Sequence, residues 1–357
     1  MKTFIIAEAG VNHNGSRKLA MKLVDIAVDA QADAIKFQTF RAQGVVTRKA
    51  ARADYQEKNC DERESQFEML KKLELSYDLH FELAAYCKKK KIIFLSTAFD
   101  RPSLDFLVNE INLPVLKIPS GEITNGPFLL EHARTGKKLI LSTGMSTLEE
   151  VKKALEILAF GLINDPDIPP SYDAFKTAFQ SQNGQELLKK KVTLLHCTTE
   201  YPAEEDEINL LAMKTLVKTF GLPAGYSDHS RGIFIPSLAV ALGAAVIEKH
   251  FTLDKNLSGP DHRASLNPSE LKDMVKKIRL AELVLGNGEK IPGKREKKNL
   301  SVVRRSLVAA RDITAGECFS VDNLTARRPG TGMSPMEYWK ILGTRSPRSY
   351  FEDEVIL

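Results

Sequence analysis

Ala34-Ile35-Lys36-Phe37-Gln38-Thr39-Phe40 is a strand-like run whose apolar body carries a lysine and a glutamine toward its C-terminal end. Similar runs occur at 4–10, 92–99, 115–120, 139–144, 192–198, 224–229 and 244–251. Helix-period stretches such as 17–30, 148–158 and 236–242 lie between them, and another, 268–285, follows the last. Apolar runs alternating with helical stretches predict parallel strands joined by crossover helices. Eight such strands predict an α/β fold, a (β/α)8 TIM barrel.

Beyond Leu285 the composition changes. Residues 286–298 are glycine-containing, highly charged and poor in apolar groups, which predicts a linker. Brief strand-like pieces at 306–310, 318–320 and 324–328 then predict a small β-rich domain. The expected division is therefore 1–285, 286–298 and 299–357. Within the barrel, residues 164–184 carry Pro166, Pro169 and Pro170 and read as a surface excursion rather than an extra strand. The long connection 41–75 leaves the C-terminal end of its strand, the end at which barrel active sites are built.

Bulk composition narrows the function classes. With 357 residues, 43% of them hydrophobic and 27% charged, the chain is long enough for one large domain and a small one, and has no apolar run that would span a membrane. The first residues enter a strand without a secretion-signal pattern, so the cytoplasm is the expected compartment. Cys60, Cys87, Cys197 and Cys318 lie far apart, which predicts neither a disulfide framework nor a thiolate zinc site. Cys197 ends a strand-like run and reads as a small buried hydrophobe. A net charge of +5 suits anionic substrates, but the lysine runs at 88–91 and 189–191 read as solvated helix ends. No basic stripe interleaved with aromatics predicts nucleic-acid binding.

Polar groups stand near the C-terminal end of every strand-like run: Glu8; Lys36 and Gln38; Ser96 and Thr97; Lys117, Ser120 and Glu122; Ser142 and Thr143; His196, Thr198 and Thr199; Ser227, Asp228 and His229; Lys249 and His250. In a barrel they converge on one mouth, and a ring of ionisable groups on apolar strands is hard to attribute to packing. Lys36 and Lys117 suit a phosphate and a carboxylate, with hydroxyls of Thr97, Ser120, Ser142 and Ser227 completing an anion cradle; the alternative is lysine stems packed on the wall with their charges reaching outward. His229 and His250 end neighbouring strands and suit a divalent manganese ion with an incomplete protein shell, the alternative being hydrogen-bonded structural histidines. His13 reads as a turn residue or a wall of the site, and His196 as a partner for a buried backbone group or a substrate contact.

The motifs Glu8-Ala9-Gly10-Val11-Asn12-His13-Asn14-Gly15, Lys117-Ile118-Pro119-Ser120-Gly121-Glu122, Gly225-Tyr226-Ser227-Asp228-His229 and Glu248-Lys249-His250-Phe251-Thr252 extend the pattern over nearly the whole chain. With them the chain resembles the sialic acid synthases, meaning N-acetylneuraminate synthases and their legionaminate and pseudaminate relatives. The second domain, with Arg327-Arg328-Pro329-Gly330-Thr331-Gly332, is similar to their antifreeze-like (SAF, β-clip) module.

The resemblance implies condensation of phosphoenolpyruvate with N-acetylmannosamine or a 2,4-diacetamido-2,4,6-trideoxymannose and water, giving N-acetylneuraminate or N,N'-diacetyllegionaminate and phosphate. It implies Lys36, Thr97, Lys117, Ser120, Ser142 and Ser227 as the phosphoenolpyruvate site. His229 and His250 are the implied ligands of a divalent metal, Mn2+, with Mg2+ or Co2+ as alternatives. Gln38, Thr199, Tyr201, Asp261 and Arg328 are the implied sugar contacts, and Glu8 and Glu122 the proton-transfer groups. It further implies a domain-swapped homodimer in which Arg328 serves the partner's site. Rival readings are a pseudaminate synthase, another phosphoenolpyruvate-dependent aldose synthase, or a non-catalytic sugar-binding protein.

Overall fold

The computed structural model describes residues 2–48, 50 and 65–357. Cys60 and part of the 41–75 connection lie outside the described residues. The chain divides into two compact units, Met1–Gly286 and Asn287–Leu357.

The first unit is a closed barrel of eight parallel strands in sequence order. They are β1 (Phe4–Gly10), β2 (Ala34–Thr39), β3 (Ile93–Ala98), β4 (Val115–Ile118), β5 (Lys138–Ser142), β6 (Val192–His196), β7 (Ala224–Asp228) and β8 (Val246–His250), with β8 pairing to β1. Successive strand residues point to opposite faces, so each strand must fill two cores at once. Ile6, Ala34, Leu95, Ile140, Leu195 and Val246 form a separate buried cluster that plugs the barrel interior. The opposite faces, with Ile35, Phe37, Leu116 and Leu141, pack on the helices. Each fully buried Leu or Ile contributes about 1.5–3 kcal/mol, so the plug is a firm floor for whatever stands above it.

The connections carry their own stop and start signals. Helix Leu148–Ile163 begins at a capping box of Thr147 with Glu150 and ends on Asn164 in the left-handed region. It therefore runs past the expected 158. The excursion 164–184 adds no strand, as expected: residues 164–171 carry no helix, and Tyr172–Gln180 forms one that packs on Leu148–Ile163, with Phe175 edge-on to Phe160 at 5.1 Å between ring centroids. Among the described residues no helix is long and apolar enough to cross a membrane.

In the second unit β9 (Ser306–Ala309) and β10 (Leu324–Arg327) pair antiparallel over a small core that includes Leu307, Ile313, Phe319, Leu324 and Tyr350. The expected strand at 318–320 reduces to a single bridge between Cys318 and Arg345. The Asn323 side chain donates to Cys318 O and accepts from Ser320 N, which turns the chain before a ladder can grow. Arg328 is exposed just after β10.

Candidate active site

Above the apolar plug the inward-facing positions turn polar. Strand register places Glu8 opposite Lys36, Gln38 opposite Thr97, Thr97 opposite Lys117, and Ser227 opposite Glu248, all on the interior face. They line a cavity of about 570 Å³. Of the residues singled out from sequence, Glu8, Lys36, Gln38, Thr97, Lys117, Ser120, Ser142, Thr199, Tyr201, Ser227, His229, His250 and Asp261 all line it.

Glu248 lies at the centre, a residue absent from the set inferred from sequence. Its carboxylate is 3.6 Å from Lys36 Nζ and 3.5 Å from Lys117 Nζ, and accepts from Ser227 Oγ at 2.9 Å. Lys36 also pairs with Glu8 and donates to Thr97 Oγ1 at 2.8 Å. Burial opposes the charge on Glu248, but Lys117, Lys36 and Ser227 together hold its pKa down at about 2. Burial dominates for Glu8, with the Glu248 charge adding to it, and its pKa rises to about 8 against the pull of Lys36. The shift favours the neutral acid at Glu8, so the floor sets Lys36 and Lys117, the latter with its pKa lowered by burial, against Glu248 as the group held firmly as a carboxylate. That excess of positive charge is what a small polyanion requires.

A stability consequence follows. Glu8 binds its proton more tightly folded than unfolded, so the stability it confers is present below its ordinary pKa near 4.5 and is lost as pH rises through about 8. Glu8→Gln, which mimics the protonated acid, should gain stability relative to the parent chain between pH 5 and 8. Denaturant midpoints of the two proteins at both pH values check this, and a constant difference would contradict it.

On the neighbouring wall the ring centroids of His229 and His250 stand 5.9 Å apart, with Tyr201 tilted by 32° against His229 at 4.1 Å. His229 Nδ1 lies 2.6 Å from Thr198 O and donates to it, which fixes the tautomer and leaves Nε2 as the ring's lone-pair nitrogen, 3.5 Å from Ser227 Oγ. His250 Nδ1 is buried without a hydrogen-bond partner, 3.8 Å from Asp261 Oδ2. Burial lowers the pKa of His229 to about 4 and that of His250 well below its ordinary value, so both rings are neutral at pH 7. Two neutral imidazoles, one with an unpartnered Nδ1 and the other with a lone-pair Nε2 that has a long contact to Ser227 Oγ, fit a divalent cation. Among the described residues no set of three or more His, Cys, Asp or Glu side chains forms a cage for one, so the remaining positions suit substrate and water oxygens.

The inward orientation expected of Asp228, Lys249, Ser96 and Thr143 needs correction. Asp228 and Lys249 do not face the cavity. They pair across β7 and β8 on the outer face, Lys249 Nζ lying 2.5 Å from Asp228 Oδ2 and 2.7 Å from Ser230 O, both side chains fully buried. Ser96 bonds Thr39 on that outer face, and Thr143 donates to Leu195 O. His196 satisfies Ile208 O at 2.7 Å, and His13 accepts from Gly15 N in the turn after β1. Glu122 does not line the cavity. The 3-10 turn Ser120–Glu122 swings it to the rim, where it accepts from Asn125 Nδ2 at 2.7 Å. Cys197 is buried as expected, yet its thiol lines the cavity 3.1 Å from Ser120 Oγ, its pKa raised by burial.

The NeuB family profile matches residues 23–290, and the SAF domain profile matches 304–357. The chain is 51% identical to the N,N'-diacetyllegionaminic acid synthase of Campylobacter jejuni over 99% of both chains. It is 47% identical to the enzyme of that name from Legionella pneumophila, over 97% of this chain and 90% of the other. A crystal structure of an N-acetylneuraminic acid synthetase from Leptospira borgpetersenii, 35% identical, superposes with a TM-score of 0.66 over 84% of this chain and 90% of that one. The chain belongs to the NeuB family and carries a SAF domain.

Proposed function

We propose that this protein is a phosphoenolpyruvate-dependent nonulosonic acid synthase that condenses phosphoenolpyruvate with 2,4-diacetamido-2,4,6-trideoxymannose and water, releasing N,N'-diacetyllegionaminate and phosphate. The observation that carries the reading is the meeting of Lys36, Lys117 and Glu248 with two neutral imidazoles in one cavity. The choice of acceptor leans on the names of the two most identical relatives described above; N-acetylmannosamine is the other candidate.

Lys36 and Lys117 bind the phosphate and carboxylate of phosphoenolpyruvate, with Thr97, Ser120, Ser142 and Ser227 donating hydroxyl hydrogen bonds. Ser142 Oγ is buried with no other partner, as such a donor would be. His229 and His250 would hold a divalent cation, Mn2+ being the one that the family resemblance implies, and it would supply Lewis acidity toward the sugar aldehyde. In the reaction C3 of phosphoenolpyruvate attacks the aldehyde carbon, water adds at C2, and the C2–O bond to phosphate breaks. Glu8, protonated at neutral pH, gives a proton to the oxygen developing at the former aldehyde. Glu248 keeps the two ammonium groups charged and in place. Gln38, Thr199, Tyr201 and Asp261 position the sugar.

Phosphate release from phosphoenolpyruvate, Mn2+ and each sugar tests the reading; no release with either would refute it. His229→Ala should weaken Mn2+ binding by about 100-fold, read by Mn2+ paramagnetic resonance. Unaltered binding would remove the metal assignment.

The same proposal includes a cytoplasmic homodimer in which Arg328 completes the cavity of a second copy. Arg328→Ala and Lys117→Met chains, each strongly impaired alone, should then regain turnover when mixed and refolded together, because one of the two sites of the hybrid is intact. No recovery in a mixture proven to contain the hybrid dimer would exclude the swap.

A further inference from the structure

The cavity has two unlike walls. The charged floor and the imidazoles account for one; the other is apolar apart from Gln66. Helix Gln66–Leu73 presents residues 66, 69, 70 and 73 to the cavity, the i, i+3, i+4, i+7 spacing of a single helical face. Met69 and Leu73 anchor this face by packing with Val11 and Phe40, while Leu70 is half-buried and offers apolar surface to the cavity. Val46, also half-buried, extends the strip just after the short helix Ala42–Val45.

Nothing in the reacting ends of the substrates calls for such a wall. Phosphoenolpyruvate is a polyanion and the aldehyde is polar, so both belong at the floor. What reaches the apolar strip is the remote end of the acceptor. A hydroxyl placed against Leu70 and Val46 exchanges water for apolar surface, whereas a methyl group or the methyl of an acyl amide gains burial there. The two candidate acceptors differ at that end: one carries hydroxyls at C4 and C6, the other an acetamido group at C4 and a methyl at C6.

We infer that the apolar face formed by Met69, Leu70, Leu73 and Val46 reads the C4 and C6 substituents of the acceptor, selecting an acylated 6-deoxy sugar over one that bears hydroxyls there. This assignment rests on the synthase reading of the same cavity and adds the residues that set its specificity. Apolar pockets discriminate groups of this size by roughly 10–200-fold.

The test is kcat/KM for phosphate release with three acceptors: N-acetylmannosamine, its 6-deoxy counterpart and 2,4-diacetamido-2,4,6-trideoxymannose. The unaltered protein should favour the third over the first by about 100-fold, with the second between them. Leu70→Asn and, separately, Val46→Thr should each reduce that ratio by about tenfold. Equal kcat/KM for the three sugars would overturn the inference, as would variants that lower all three alike. If a variant does not fold, the series of sugars on the unaltered protein still decides. Phosphate release from none of the sugars is a different result: it overturns the synthase reading, and the inference with it.

Discussion

Lys249→Met should lower the thermal midpoint of the barrel by roughly 10 °C, although the side chain touches neither the cavity nor solvent. Asp228 and Lys249 are both fully buried and pair directly. Removing one partner of a buried ion pair strands the other charge in a medium that cannot solvate it, which costs about 3–5 kcal/mol. The companion result distinguishes a stranded charge from lost packing. Asp228→Asn combined with Lys249→Met leaves no buried charge and should recover most of the loss in a thermal scan. If the double variant were as unstable as the single one, the pair would matter for shape rather than charge.

Lys117→Met should reduce kcat/KM for phosphate release by about 10²–10³ at saturating Mn2+, the range found when a preorganised electrostatic contact is removed. Stability should change far less than in Lys249→Met, because Glu248 keeps Lys36 and Ser227 as partners after the substitution. The two lysines are thus separable by experiment. One holds the wall together from the outer face, and the other acts inside the cavity. A Lys117→Met protein with near-normal turnover would mean that the anion binds elsewhere.

The barrel was legible because eight apolar runs alternate with helical stretches, the strand count at which a parallel β/α sheet closes on itself. The inner ring was only partly legible. A parallel strand is buried on both faces, so polar residues occur on both, and Asp228, Lys249 and Ser96 were pooled with residues that face inward. Period-two alternation from His250 would have separated Lys249 and brought in Glu248. Glu122 follows a strand but is carried to the rim by a turn that strand periodicity does not describe. Nor does a strand pattern disclose the apolar face of Gln66–Leu73, since it lies in a connection and enters the cavity only through tertiary packing.

The central claim is that barrel closure gathers the lysines of β2 and β4 and the histidines at the ends of β7 and β8 around one anion and one metal ion. Anomalous diffraction from crystals grown with Mn2+ and phosphoenolpyruvate measures this directly. A manganese peak bonded to both His229 and His250, with the phosphate or carboxylate of the ligand on Lys36 and Lys117, is the expected result. Manganese bound away from these two imidazoles, or a ligand that leaves both lysines paired only to Glu248, would contradict the account.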